Sequence, residues 1–88
     1  MNAAEIRKLR ATAHKLNPVV MIGQAGLTTT VLTEIDSALN AHELIKVRIR
    51  AEKIERTQIS QQICELTGAQ LVQAIGQIVV IYRKNPDK

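Results

Sequence analysis

Val19-Val20-Met21-Ile22-Gly23-Gln24-Ala25-Gly26-Leu27-Thr28 reads as a strand, a glycine loop and the start of a helix, and the rest of the chain is placed around it. Four consecutive apolar residues suit a buried strand. Glycines at both ends of Gly23-Gln24-Ala25-Gly26 let the backbone take up positive φ and come close to a ligand. A helix capped by Thr28, Thr29 or Thr30 then offers unpaired N–H groups and the positive end of its dipole, which suits a phosphate. A short G-x-x-G taken alone favours a plain strand-to-helix turn, so the surroundings have to argue for a ligand.

Upstream, Ile6, Leu9, Ala13 and Leu16 recur at helical spacing, with Arg7, Lys8, Arg10 and Lys15 largely off that stripe and Asn17-Pro18 as a stop. Downstream, Val31, Ile35, Ala38 and His42, flanked by Leu32 and Leu39, mark a second helix, with His42 expected as a core or capping residue at its end. Leu44-Ile45-Lys46-Val47-Arg48-Ile49-Arg50 alternates strictly, so Ile45, Val47 and Ile49 point inward and Lys46, Arg48 and Arg50 outward. A third helix is predicted over about 53–67, with Ile59, Ile63 and Leu66 as its core stripe and Gly68 as its stop. Strands over 71–75 and 78–82 flank Gly76-Gln77, a two-residue loop whose leading glycine fits a type II′ hairpin.

The element order is therefore α-β-α-β-α-β-β, predicted as a two-layer α/β sandwich on a mixed four-stranded sheet. Right-handed crossovers make the first two strands parallel and bring the loops after them to one sheet edge. That sets the glycine loop beside Arg50, Lys53 and Arg56, at the carboxyl ends of parallel strands where open α/β sheets bind ligands. Ile78-Val79-Val80-Ile81 is apolar on both faces and reads as interior, whereas the mixed third strand reads as an edge. A strand order of 1-2-4-3 follows, with the fourth strand antiparallel.

A chain of 88 residues makes a single domain, and at this length it buries only about 60–65% of the surface its unfolded form exposes. Hydrophobic residues make up 45% of it, yet there is no Phe, no Trp and one tyrosine, Tyr82, so the core must be Ile, Leu, Val and Ala. One tyrosine cannot supply the stacking platforms of RRM, OB-fold or cold-shock domains. Binding to RNA would have to rest on charge and RNA shape. Cys64 is the only cysteine and forms no intramolecular disulfide, so a buried, inert thiol in a reducing compartment is expected. No apolar run approaches the roughly 20 residues of a membrane span, and a cytoplasmic protein is expected.

The net charge of +4 and a pI near 9.6 allow a polyanionic partner. Charge also alternates by block: basic over 1–17, acidic over 18–45, basic over 46–56, almost neutral to 82 and basic over 83–88. The outward triplet Lys46, Arg48 and Arg50 places like charges on one strand face, where a polyanion would relieve their repulsion. Catalysis finds little support. His14 and His42 fall on different helices without a metal-ligand motif, Glu34 and Asp36 read as a solvated helix face, and no Gly-Lys-Ser/Thr follows the glycine loop. No cofactor, metal or small-molecule substrate is implied.

Val19 through Thr28, His42-Glu43-Leu44-Ile45-Lys46-Val47, Thr67-Gly68-Ala69, and Gly76 with Ile81-Tyr82-Arg83 together resemble the CRM domain (chloroplast RNA splicing and ribosome maturation). The likeness is to its free-standing bacterial form, the YhbY-like RNA-binding proteins, and runs from about Ile6 to Arg83. It implies a single domain over residues 1–88 with a fold similar to the C-terminal domain of bacterial translation initiation factor three. It also implies RNA binding on precursors of the large ribosomal subunit, through Gly23, Gln24, Ala25 and Gly26 with basic support from Lys46 and Arg83. Gln24 and Ala25 bring no charge of their own, where such loops often carry a basic residue. Thr28, Arg48, Arg50, Lys53, Arg7 and Lys15 complete the expected RNA-binding set of a monomer. The competing reading is a protein adaptor whose basic face meets an acidic protein.

Overall fold

The computed structural model describes residues 1–86. Its elements are α1 (Ala3–Ala13), β1 (Pro18–Ile22), α2 (Thr29–His42), β2 (Leu44–Ile49), α3 (Lys53–Thr67), β3 (Gln70–Ile75) and β4 (Ile78–Tyr82). Local chemistry accounts for the helix ends. The Asn2 side chain accepts from the Glu5 N–H at 2.8 Å to open α1, and Thr28 Oγ1 accepts from the Val31 N–H at 3.1 Å to open α2. Gly68 closes α3 in the left-handed conformation, at φ +76°. Helix α1 stops at Ala13, before the expected Asn17-Pro18 stop, and passes into tighter turn bonds from the Lys15 N–H to the Thr12 carbonyl and the Leu16 N–H to the Ala13 carbonyl.

The sheet order is β1-β2-β4-β3. Strands β1 and β2 are parallel, while β4 runs antiparallel to both β2 and β3, as the crossover and burial arguments require. Ile22 pairs with Ile49, Leu44 with Tyr82 and Ile75 with Ile78. Gly76 supplies the one positive φ of the β3–β4 turn, +55°, in keeping with the type II′ expectation.

The inward row Val20, Ile22, Ile45, Val47, Ile49, Val79 and Ile81 meets Ile35 and Leu39 of α2 and Ile59 and Ile63 of α3. Each fully buried aliphatic side chain of this kind contributes about 1.5–3 kcal/mol. The sequence led to two layers; the structure adds a partial third. Strand β4 is apolar on both faces, so Val80 and Tyr82, with Leu44 and Val72 beside them, need cover on the far side too. Helix α1 provides it with Ile6, Leu9 and Ala13, and Leu16 just beyond the helix adds to the cover. Leu66, expected in the core stripe of α3, is instead 64% exposed, in a shallow groove with Leu27 and Leu32. Ser60 is buried further back along the helix, where its hydroxyl donates to the Thr57 carbonyl.

Two residues after β4 lock the lower end of the fold. The Arg83 guanidinium donates to Asp36 Oδ1 at 2.7 Å, Asn40 Oδ1 at 2.7 Å and the Thr67 carbonyl at 2.9 Å, tying α2 to α3. Asp36, still half-exposed on its helix, is therefore also an ion-pair partner. Buried Asn85 donates from Nδ2 to the carbonyls of Leu39 and Asn40, the kind of helix-end acceptors that otherwise lack partners. Between α2 and β2 stands one residue, Glu43, at φ +63°. It is held by its N–H to the Leu39 carbonyl, its carbonyl to the Arg83 N–H and its Oε2 to the Asn85 N–H. His42, expected in the core or at the cap, is exposed because this junction turns the chain directly after it.

Replacing Arg83 by Ala removes a charged donor shared by two helices. Thermal unfolding should show a loss of about 1–2 kcal/mol, or a midpoint lower by roughly 5–15 °C. An unchanged midpoint would deny Arg83 this role.

Candidate nucleic-acid interface

Gly23-Gln24-Ala25-Gly26 forms a tight turn closed by the Gly26 N–H on the Gly23 carbonyl at 3.0 Å, with Gln24 and Ala25 exposed at its tip. Only Gly26 uses the left-handed region, at φ +74°; Gly23 does not, which corrects the expectation that both glycines do. A Cβ at either position would meet no atom within 4 Å. Gly26 is thus required by its backbone angle, whereas neither φ nor packing within the chain requires Gly23. The turn is also set back from the helix: Leu27 and Thr28 intervene, and the Thr28 hydroxyl oxygen is engaged in capping α2.

The parallel ladder carries β2 up to this turn, where the Arg50 N–H donates to the Ile22 carbonyl at 2.9 Å. An open cleft there is lined by Gly23, Gln24, Arg50, Ala51, Glu52, Glu55 and Gln77. Arg50 lands where the topology put it. Glu52 and Glu55 share the cleft, so its α3 side carries carboxylates, which a block sum of +3 over residues 46–56 conceals. Lys53 and Arg56 line a separate cleft with Gly76 and Val79 beside the hairpin. The Arg56 guanidinium also donates to the Ala51 carbonyl at 2.7 Å, bracing the link from β2 to α3.

Positive charge leads away from the turn on the other side, along β2. Lys46 is half-buried and Arg48 and Arg50 are exposed, and among the described residues none of the three side chains has a hydrogen bond or ion pair. Lys46 lines a cleft with His14, Gln73, Ile75, Ile78 and Val80 on the α1 face of the sheet. Arg7 and Lys15 are exposed in the α1 layer. Arg83 is not brought here. Antiparallel β4 carries it to the opposite end of the sheet, where its guanidinium is bonded to Asp36, Asn40 and Thr67. Gln77, which composition did not single out, reaches the turn because its carbonyl accepts the Ile49 N–H at 2.7 Å. An interior antiparallel β4 already implied that placement.

Among the described residues no group of three or more His, Cys, Asp or Glu could hold a metal ion, and no helix is long and apolar enough to cross a membrane. Partial burial pushes the Cys64 thiol up from its ordinary pKa, so it stays protonated at neutral pH. His14 and His42 line different clefts.

A glycine turn at the carboxyl ends of two parallel strands, joined to a row of unpaired cations, defines a small basic α/β domain with one end suited to an anion. The model of the CRS1 / YhbY (CRM) domain matches residues 1–83, and the chain belongs to that family. It is 50% identical over 80 residues to an RNA-binding protein of Haemophilus influenzae, covering 90% of this chain and 81% of that protein. It is 41% identical over 81 residues to a probable RNA-binding protein of Pseudomonas aeruginosa, covering 91% and 78%. The chloroplastic group IIA intron splicing facilitator CRS1 of Arabidopsis thaliana is 30% identical over 82 residues, which are 92% of this chain and 11% of the plant protein. The solution structure of a hypothetical protein from Staphylococcus aureus superposes with a TM-score of 0.85 at 32% identity, covering 97% of this chain and 90% of that one.

The two glycines should separate in stability measurements. Gly26→Ala forces a side chain into the left-handed region and should cost about 1–2 kcal/mol. Gly23→Ala should leave the thermal midpoint unchanged or slightly raised. Equal losses at the two positions would contradict their different backbone requirements.

Proposed function

We propose that this protein is a non-catalytic, monomeric, cytoplasmic RNA-binding factor that acts on precursors of the large ribosomal subunit. In this reading Gly23, Gln24, Ala25 and Gly26 meet the RNA backbone with Thr28 and Arg50 next to them, Arg48 and Lys46 continue the contact along β2, and Lys53 beside the hairpin and Arg7 and Lys15 in the α1 layer meet more distant parts of the RNA. The observation that carries the reading is the exposed glycine turn with Arg50 beside it and the unpaired Lys46 and Arg48 leading away. Gly23 adds to it, since a glycine that its own fold does not require is accounted for by the close approach of a partner. Relatives named as RNA-binding proteins agree in sequence over most of their length. The ribosomal target rests on the resemblance to the bacterial family alone. This reading leaves Arg83 out of the RNA-facing set, since its guanidinium is already engaged in tying α2 to α3.

Binding of a structured fragment of precursor ribosomal RNA, titrated against salt, tests the proposal. Gln24→Asp with Ala25→Asp places two negative charges at the tip of the turn and should weaken binding at least tenfold while the thermal midpoint stays put. Replacing Lys46, Arg48 and Arg50 singly by Gln should lower the salt slope by roughly 0.7–0.9 for each phosphate that is no longer neutralised. Undiminished affinity in the folded loop variant would remove the turn from the site. Wild-type slopes in all three Gln variants would reduce the row to a solvated face and favour an acidic protein partner instead.

A further inference from the structure

The sheet face under α1 is only half covered. Helix α1 buries Leu44, Val72 and Val80 toward one end, and beyond it the register sets Met21, Arg48, Ile78 and Ile75 side by side across all four strands. Met21 is 55% and Ile75 63% exposed, and Ile78 is half-buried. Two residues down β2, Lys46 stands beside Val80 and Gln73, with His14 of the α1 end at the rim. This row of large aliphatic side chains with a cation in its middle spans the sheet, about 14 Å at the usual strand spacing.

Charge selects the occupant. None of the four strands contains a carboxylate, and the cations Lys46 and Arg48 of β2 and Arg50 directly after it follow one another over about 13 Å, ending at the glycine turn. A partner must therefore combine regularly spaced negative charge with flat apolar surface. Duplex RNA supplies the first without the second, since paired bases keep their faces stacked inside the helix. Unpaired nucleotides supply both. Resting on the RNA-binding reading above, we propose that this open half-face holds a short unpaired segment of the RNA next to the structured part bound at the turn. Its phosphates lie along Lys46, Arg48 and Arg50 and its bases on Met21, Ile78 and Ile75. The aliphatic floor takes the place of the aromatic platforms this chain lacks.

Two hairpin RNAs with the same stem test this, one blunt and one with a short unpaired adenosine extension, each bound by the full chain and by a Met21→Ser, Ile75→Ser variant. Wild type should bind the extended RNA about tenfold tighter, a preference that roughly 55 Å² of buried apolar contact would supply at about 25 cal/mol per Å². The double variant should bind both RNAs alike, with the affinity wild type has for the blunt stem. Because both side chains are exposed, the variant is expected to fold. The single changes, each expected to lose part of the preference, serve the same purpose should the pair together disturb the sheet. Wild-type binding that ignores the extension, or a variant that weakens both RNAs equally, overturns the inference while leaving RNA binding at the turn intact. Failure of wild type to bind either RNA overturns both.

Discussion

Strand β4 is the constraint on which the rest of this fold depends. Ile78-Val79-Val80-Ile81 is apolar toward both sides of the sheet, so it must sit inside the sheet and be covered twice. Helices α2 and α3 cover one side through Ile35, Leu39, Ile59 and Ile63, and α1 covers part of the other. The antiparallel pairing of β4 with β2 then fixes both of its ends. Its start brings the Gly76-Gln77 turn up to the glycine turn, and its end delivers Arg83 and Asn85 to the carboxyl-terminal end of α2. One apolar strand thus separates the glycine-turn end of the molecule from a clamped end.

How far the sequence could be read follows from this. Strand alternation in β2, the two-sided β4 and the handedness of β-α-β crossovers were enough for the strand order, because each is a local pattern with a single packing consequence. The glycine turn and Arg50 came with that topology. Less legible were features decided by which of two surfaces a residue meets in three dimensions. The stripe on α1 announced an amphipathic helix without saying which sheet face it would cover. Leu66 shares the helical stripe of Ile59 and Ile63, yet lies 64% exposed in a groove whose other aliphatic lining is Leu32 of α2 and Leu27 before that helix. Arg83 looked like part of a basic surface because a charge count carries no direction, and its destination depends on the strand before it running downward.

Electrostatics around the turn is uneven in a way that net charge hides. The α3 side carries Glu52 and Glu55, and the Arg56 guanidinium there is spent partly on the Ala51 carbonyl. The β2 side carries Arg50, Arg48 and Lys46 with no internal partner among the described residues. An anion arriving at Gly23 and Gln24 is repelled from one side and attracted along the other, so the field itself sets a direction across the α1 face.

The helix dipole contributes less to this than the motif alone suggests. Favourable interaction with a helix N-terminus fades within about its first turn, and here α2 begins at Thr29, three residues beyond Gly26, with Thr28 already bonded to the Val31 N–H. The turn itself carries no charge at Gln24 or Ala25. What it adds is access: a Gly23 with no neighbour within 4 Å of where a side chain would be, and a Gly26 that bends the backbone back toward α2. In this chain, then, the glycines supply close approach and the strand beside them supplies the charge. The two are joined by the single hydrogen bond from the Arg50 N–H to the Ile22 carbonyl that continues the β1–β2 ladder to the edge of the turn.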